Sequence, residues 1–236
     1  MKTLTIKLTA PLQSYGNEAS FARRTTNNYP TKSAVIGMVA AALGYRRTDT
    51  RIRDLNALKF AVRIDQVGRS LTDFQTVEWK QGTRKITYRD YIQDAIFVVA
   101  LSSTDESLID DISFALRHPK FQLFLGRRAN VPAGPLQTQI FTEETPVAVL
   151  QHLSWQAAPW YQHKQHPTKL AIIADAELIA DQQEALVKDR VESFDQRDRR
   201  YSFRAISKTQ VAVANLKTES ADLDTFHDIM AALGKE

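Results

Sequence analysis

The chain has 236 residues, no cysteine, and 31 basic against 27 acidic residues, a formal net charge of +4. The lack of cysteine excludes disulfides, thiol catalysis and a cysteine-ligated zinc, and it suits a reducing cytoplasm. No apolar run is long enough to cross a bilayer, and Met1-Lys2-Thr3-Leu4-Thr5-Ile6 alternates like a strand and lacks a signal-peptide core.

In chain order, Leu4, Ile6 and Leu8 mark a first strand over residues 3–9. Ala10-Pro11-Leu12-Gln13-Ser14-Tyr15-Gly16 leaves it, and a polar loop through Thr25, Asn27 and Asn28 leads to a helix that spans Thr31 to Leu43. Thr31 suits the N-cap and Gly44 the C-cap, while Val35, Met38, Val39, Ala42 and Leu43 recur at helical spacing. The free N–H groups at its start, with Lys32 beside them, predict a phosphate seat; a buried helix with an ordinary cap fits the same residues. Leu58, Phe60, Val62 and Ile64 give a second strand. Residues 66–94 are polar and basic, with Gly82 near the tip of an excursion that reads as a hairpin. Ala95 to Leu101 is a continuous apolar run suited to a central strand. Ser103-x-x-Glu106 reads as a capping box opening a helix with Leu108, Ile109, Ile112, Ala115 and Leu116 inward, stopped by Pro119. Phe121 to Leu125 is expected as a fourth strand, and Gly126-Arg127-Arg128 follows it.

Strand, helix, strand, strand, helix, strand makes an α+β, ferredoxin-like unit. Pro132, Pro135 and Pro146 punctuate a boundary near residue 145, which divides the chain into 1–145 and 146–236. In the second part Val147–Gln151, Lys169–Ala174, Tyr201–Ile206 and Thr209–Asn215 read as strands. Leu223, Phe226, Met230 and Leu233 suggest a closing helix.

For chemistry, Lys32-Ser33 lacks the upstream glycines of a nucleotide-binding loop, and His163 and His166 lack a carboxylate at helical spacing. No cofactor or metal is expected. An acid–base ribonuclease would have to use His118, Lys120, Tyr15 or Tyr29, and a histidine in a last helical turn is commonly held there by the helix dipole. RNA binding is better supported. The topology is that of RNA-recognition modules, although Ile96, Phe97 and Val98 read as core and not as stacking platforms. Contacts would then come from loops, namely the helix entrance, Gly126–Arg128 and the basic excursion; the arginine groups, Arg23-Arg24, Arg46-Arg47 and Arg127-Arg128 among them, suit phosphate and equally suit solvated faces.

Several of these stretches carry a family resemblance. Residues 10–16, Arg24-Thr25, Pro30-Thr31-Lys32-Ser33 and Ala41-Ala42-Leu43-Gly44 resemble the opening of the Cas5 family of CRISPR-associated proteins. Asp73-Phe74-Gln75-Thr76-Val77, Tyr91-Ile92-Gln93-Asp94-Ala95 and Leu125-Gly126-Arg127-Arg128 are similar to later blocks of its type I-E branch. The family often has a cysteine after Gly-Arg-Arg, where this chain has Ala129-Asn130. The resemblance implies a RAMP-type ferredoxin-like (RRM-like) domain, a β-hairpin thumb over about 68–93, and a smaller β-rich C-terminal domain. It implies a non-catalytic, cytoplasmic subunit that grips the crRNA 5′ handle, touches Cas7 backbone subunits and the large Cas8e subunit, and meets target DNA only through the complex, with no membrane role. Gln13, Tyr15, Arg24, Thr25, Thr31, Lys32, Ser33, Arg46, Arg127 and Arg128 are the RNA-binding residues so implied, with Trp79, Lys80, Arg84 and Lys85 on the thumb. The alternative is a metal-independent endoribonuclease acting on CRISPR repeat RNA.

Overall fold

The apolar alternation of the first strand finds its partners in one large antiparallel sheet. A computed structural model describes residues 1–16, 22–165, 169–180 and 182–212. In chain order these form β1 (Lys2–Thr9), β2 (Leu12–Gln13), β3 (Arg23–Arg24), α1 (Lys32–Leu43), α2 (Arg51–Asp54), β4 (Lys59–Gln66), β5 (Arg69–Lys80), β6 (Thr83–Gln93) and β7 (Ile96–Ser103). There follow α3 (Glu106–Arg117), β8 (Gln137–Thr142), α4 (Pro146–His152), α5 (Pro159–Lys164), β9 (Lys169–Asp175), β10 (Glu184–Ser193) and β11 (Arg200–Ala212). The large sheet runs β10-β11-β9-β4-β7-β1-β8. Its β8-β1-β7-β4 portion, with α1 and α3 as crossovers, is the ferredoxin-like arrangement. β9, β11 and β10 continue the same sheet beyond β4.

Side-chain alternation divides the core between the two faces of the sheet. Leu4, Ile6 and Leu8 of β1, Phe60 and Val62 of β4, and Phe97, Val99 and Leu101 of β7 lie in one cluster with α1 and α3. Ala61, Val98, Ala100, Ile172 and Ala174 face the other way, under Val147 and Leu150 of α4. β4 and β7 are thus covered on both faces, which is why Ala95–Leu101 carries no polar alternation. α1 is buried along most of its length; each full burial of Val35, Ile36 or Val39 is worth roughly 1.5–3 kcal/mol. Thr31 caps it through the N–H of Ala34, and Gly44 closes it at φ +83°, a left-handed conformation that disfavours any side chain.

The structure corrects four expectations. Phe121–Leu125 is irregular chain; the fourth ferredoxin strand is β8, Gln137–Thr142. Val147–Gln151 is not a strand but most of α4, with Thr145 as N-cap and Pro146 in the first turn. The cap of α3 is Asp105, whose carboxylate accepts from the N–H groups of Ser107 and Leu108, not Ser103. Tyr201–Ile206 and Thr209–Asn215 are not two strands: the one strand β11 runs through both as far as Ala212. The expected closing helix lies outside the described residues.

Two buried charge groups fasten the second part of the chain to the first, one through Arg63 and the other through Lys32 and the Phe60 N–H, which donate to Asp175. On the α4 face, the Arg63 guanidinium pairs with Asp65 through Nε–Oδ1 at 2.7 Å and Nη2–Oδ2 at 2.8 Å. It also donates to the carbonyls of Leu153 and Ser154 at the end of α4, at 2.6 and 2.8 Å. On the α1 face, Arg204 of β11 grips Asp189 of β10 with Nε and Nη2, at 2.7 and 3.0 Å, and reaches Asp175 of β9 with Nη1 at 2.6 Å.

Candidate nucleic-acid interface

The hairpin of β5 and β6 pairs from Arg69↔Gln93 to Lys80↔Thr83, with a register shift between Glu78 and Lys80, and sets Asp73 opposite Arg89 and Val77 opposite Lys85. At about 3.3 Å per residue it stands about 30 Å tall from Leu71 to Lys80. Trp79, Lys80, Arg84 and Lys85 are all exposed near its tip, Trp79 at 69%.

Its base organises the loops. β2 pairs antiparallel with Ile92-Gln93, and β3 runs parallel beside Tyr88-Arg89. Asp90 is the clip between them. Its carboxylate accepts from Arg23 Nε and Nη2, both at 3.2 Å, and from the Thr72 hydroxyl at 2.8 Å. The hydrogen bond from Arg23 is the main reason its carboxyl is held below the usual carboxylate range, with Thr72 adding to it. Ser14 donates its N–H to the Leu125 carbonyl at 3.2 Å and its hydroxyl to the Asp90 carbonyl at 3.1 Å. The 126–128 loop is thereby pressed onto the 10–16 loop. Gly126 has φ +89°, and a Cβ there would stand 1.5 Å from the Ser14 carbonyl oxygen, so only glycine fits. Asn130, near where the family often has cysteine, is buried and closes the turn by donating its side-chain amide to the Leu125 carbonyl at 3.2 Å.

This arrangement delivers Arg127 to the hairpin base. Its guanidinium lies 4.4 Å from the centre of the Tyr91 ring, and Nη2 donates to the Arg24 carbonyl at 3.0 Å. Arg24 is the register neighbour of Arg89, and Arg89 shares a hairpin face with Tyr91. Among the described residues, no ion pair engages Arg24, Arg89, Arg127 or Arg128. The result is Arg127 against Tyr91 with Arg24 and Arg89 as neighbours, and with Arg127 helping to lower the Asp90 carboxyl.

The other nominated residues fall elsewhere. Gln13 and Tyr15 are core: Gln13 donates to the Ala95 carbonyl at 2.7 Å and accepts the Tyr15 hydroxyl at 2.6 Å, while Tyr15 meets Phe97 edge-on at 6.0 Å. Burial pushes the Tyr15 phenol far above its ordinary value. The α1 N-terminus is not an open phosphate seat. The Lys32 N–H already donates to Asp189 Oδ2 at 2.9 Å, and its ammonium to Asp175 Oδ2 at 3.0 Å. Burial pulls the Lys32 ammonium below the ordinary lysine value, and Asp175 opposes that pull. Thr31 is buried as the cap, with its hydroxyl 3.2 Å from that of the half-buried Ser33. Thr25 is half-buried in the loop after β3. Arg46 is exposed, but it follows Gly44 at the far end of a 12-residue helix, about 18 Å from Lys32. Of the nominated set, Arg24 and Arg127 are brought together, with Thr25 and the exposed Arg128 next to them in chain. Sequence reasoning missed Arg89, Tyr91 and the Arg23–Asp90 clip. The alternation Thr87, Arg89, Tyr91 in the expected hairpin was the signal that could have found the first two.

His163 is exposed on α5, and His166 lies outside the described residues. Among the described residues no group of three or more His, Asp or Glu side chains is placed to hold a metal ion. Nor is any helix among them long and apolar enough to cross a membrane.

The family model described as CRISPR-associated protein (Cas_Cas5) matches residues 3–210. The chain is 32% identical over 155 residues to the CRISPR system Cascade subunit CasD of Escherichia coli (strain K12), covering 56% of this chain and 68% of that protein. It superimposes on a chain of a solved CRISPR RNA-guided surveillance complex with TM-score 0.73 at 30% identity, covering 89% of this chain and 90% of that one. A crystal structure of a Cas protein matches with TM-score 0.68, also at 30% identity, over 90% of this chain and 96% of that one.

Proposed function

Since the chain belongs to the Cas5 family of CRISPR-associated proteins, we propose that it is a type I-E member, a Cas5e or CasD subunit of Cascade, that binds the 5′ handle of the crRNA without cutting it. In this reading it caps one end of the Cas7 backbone, touches Cas8e, and supports RNA-guided recognition of target DNA in antiviral defence in the cytoplasm. Residues 1–145 form the RAMP unit with its thumb, and residues 146–236 the smaller β-rich part. The likeness to CasD and to a chain of a surveillance complex supports this assignment.

One observation carries the RNA-binding part. Arg24 and Arg127 meet at the hairpin base with Arg128 next in chain, and among the described residues none of the three forms an ion pair, although the Asp90 carboxylate held by Arg23 and Thr72 acts on Arg127 through space. Unpaired guanidinium groups held against a rigid sheet suit phosphate oxygens, which dominate affinity for nucleic acid. The hairpin acts as the thumb, its exposed tip reaching about 30 Å from that base to a neighbouring subunit.

Binding without cleavage is favoured by the acid–base groups. A general base must reach the 2′-hydroxyl. His118 Nδ1 instead donates to the carbonyl of Phe114 at 3.2 Å, with its ring stacked on Phe114 at 4.5 Å. Tyr15 is sealed in the core. The test is co-purification followed by incubation with labelled repeat RNA. The chain should bring down Cas7- and Cas8e-type subunits with guide RNA, and leave precursor RNA intact with or without divalent metal. A specific cut made by this chain alone and lost in His118→Ala would establish the endoribonuclease alternative.

A further inference from the structure

The shielded nitrogens at the hairpin base identify a more specific ligand. Among the described residues, Arg127 Nη1 and Arg89 Nε are buried and have no hydrogen-bond partner. Buried guanidinium donors are rarely left unpaired, because shielding removes water without supplying an acceptor. Both belong to the same small region. Arg127 is fixed by its face against Tyr91 and by Nη2 on the Arg24 carbonyl. Arg89 lies two residues from Tyr91 on the same strand face and beside Arg24 in register. We infer that Arg89 and Arg127 form a seat for a single phosphodiester of the bound RNA strand.

The chemistry selects a phosphate over a base. Tyr91 occupies one face of the Arg127 guanidinium and leaves at most the other to a base. Nη2 is spent on a carbonyl, which breaks up the Nη1–Nη2 edge that would read guanine bidentately. What remains is donor capacity on two neighbouring cations beside Arg24, with no ion pair among the described residues; the Asp90 carboxylate that acts on Arg127 through space is already held by Arg23 and Thr72. A tetrahedral anion with two non-bridging oxygens can take one donor from each arginine. Asp73 stands opposite Arg89 in register, yet it is exposed and forms no ion pair with it. The seat reads backbone and not sequence, and it holds one linkage at a set distance from the sheet, fixing the register of the strand.

The inference rests on the RNA-binding reading above, and the experiment separates the two. In the assembled complex, each linkage of a synthetic handle is replaced in turn by a methylphosphonate, and affinity is measured for wild type, Arg89→Gln, Arg127→Gln and Arg89→Lys. For wild type, one linkage should show a loss of about tenfold, as for a charge-assisted hydrogen bond. At that linkage neither Gln variant should lose more, while other linkages should remain additive. Arg89→Lys should resemble Arg89→Gln, because lysine keeps the charge but has no Nε–H at that place. Additive losses at every linkage, or full affinity in Arg89→Lys, would overturn the seat while leaving RNA binding in place. Failure of wild type to retain any RNA would remove both. Arg127 touches Tyr91 and the Arg24 backbone, so melting curves accompany each variant; Arg89→Gln, which breaks no side-chain hydrogen bond among the described residues, decides the matter should Arg127→Gln fold poorly.

Discussion

Asp175→Ala tests whether the start of α1 is a structural lock or a ligand site. Asp175 is 8% exposed, and its Oδ2 accepts from the Lys32 ammonium at 3.0 Å and the Phe60 N–H at 2.8 Å. Its Oδ1 accepts from Arg204 Nη1 at 2.6 Å. The substitution leaves Lys32, itself 5% exposed, without an ion-pair partner among the described residues, and orphans a buried backbone donor. Arg204 keeps its two bonds to Asp189. Breaking a buried pair from one side costs about 3–5 kcal/mol. The orphaned N–H would add about 1–3 kcal/mol if independent, but neighbouring losses are not additive, so about 4 kcal/mol is the working figure. At about 2–4 °C per kcal/mol for a protein of this size, the melting temperature should fall by about 8–16 °C. Thermal unfolding followed by circular dichroism at neutral pH measures this. Asp175→Ala with Lys32→Met removes the stranded charge as well, and should recover part of the loss. A shift of under about 2 °C for the single variant, or a double variant less stable than the single, would refute the lock.

The remaining expectations concern the hairpin base. Gly126→Ala forces a left-handed residue, costing about 1–2 kcal/mol, and places Cβ 1.5 Å from the Ser14 carbonyl oxygen, so the loop must move. Guide retention should fall at least as far as in Arg127→Ala; retention at wild-type level would show that the placement of Arg127 does not matter. The Asp90 clip should be insensitive to pH across the physiological range. Its folded-state carboxyl is depressed, so its contribution is complete above the unfolded value of about 4 and is lost only as pH falls through the lower folded value. Asp90→Asn should accordingly flatten the acid limb of a stability–pH curve and leave its shape between pH about 5 and 8 unchanged; an altered shape in that window would contradict the assignment.

What was legible in the sequence depended on whether a residue's partner was local. β1, β4, β7 and β9 carry apolar side chains because neighbours flank them on both sides, and each was readable. β8 and β10 are the two edges of the large sheet, and their sequences, Gln-Thr-Gln-Ile-Phe-Thr and Glu-Ala-Leu-Val-Lys-Asp-Arg-Val-Glu-Ser, are polar as edges tend to be. One was displaced onto Phe121–Leu125 and the other was not recognised. The hairpin was legible because its register follows from a short turn and alternating residues only a few positions apart. The same rule sorts the site. Lys32 looked like a phosphate ligand because its local setting, a basic residue in a first helical turn, has that meaning when nothing else is near. Its occupants, Asp175 and Asp189, arrive from 143 and 157 residues away. Arg89 had the opposite fate. Nothing local in the sequence distinguishes it, and only the pairing of β3 alongside β6 places it next to Arg24 and Arg127. Long-range pairing thus neutralised one cation and left another without an acceptor. A cation's availability to RNA follows from which carboxylates the fold brings to it, so the lock around Lys32 and the open group around Arg127 are two results of one topology.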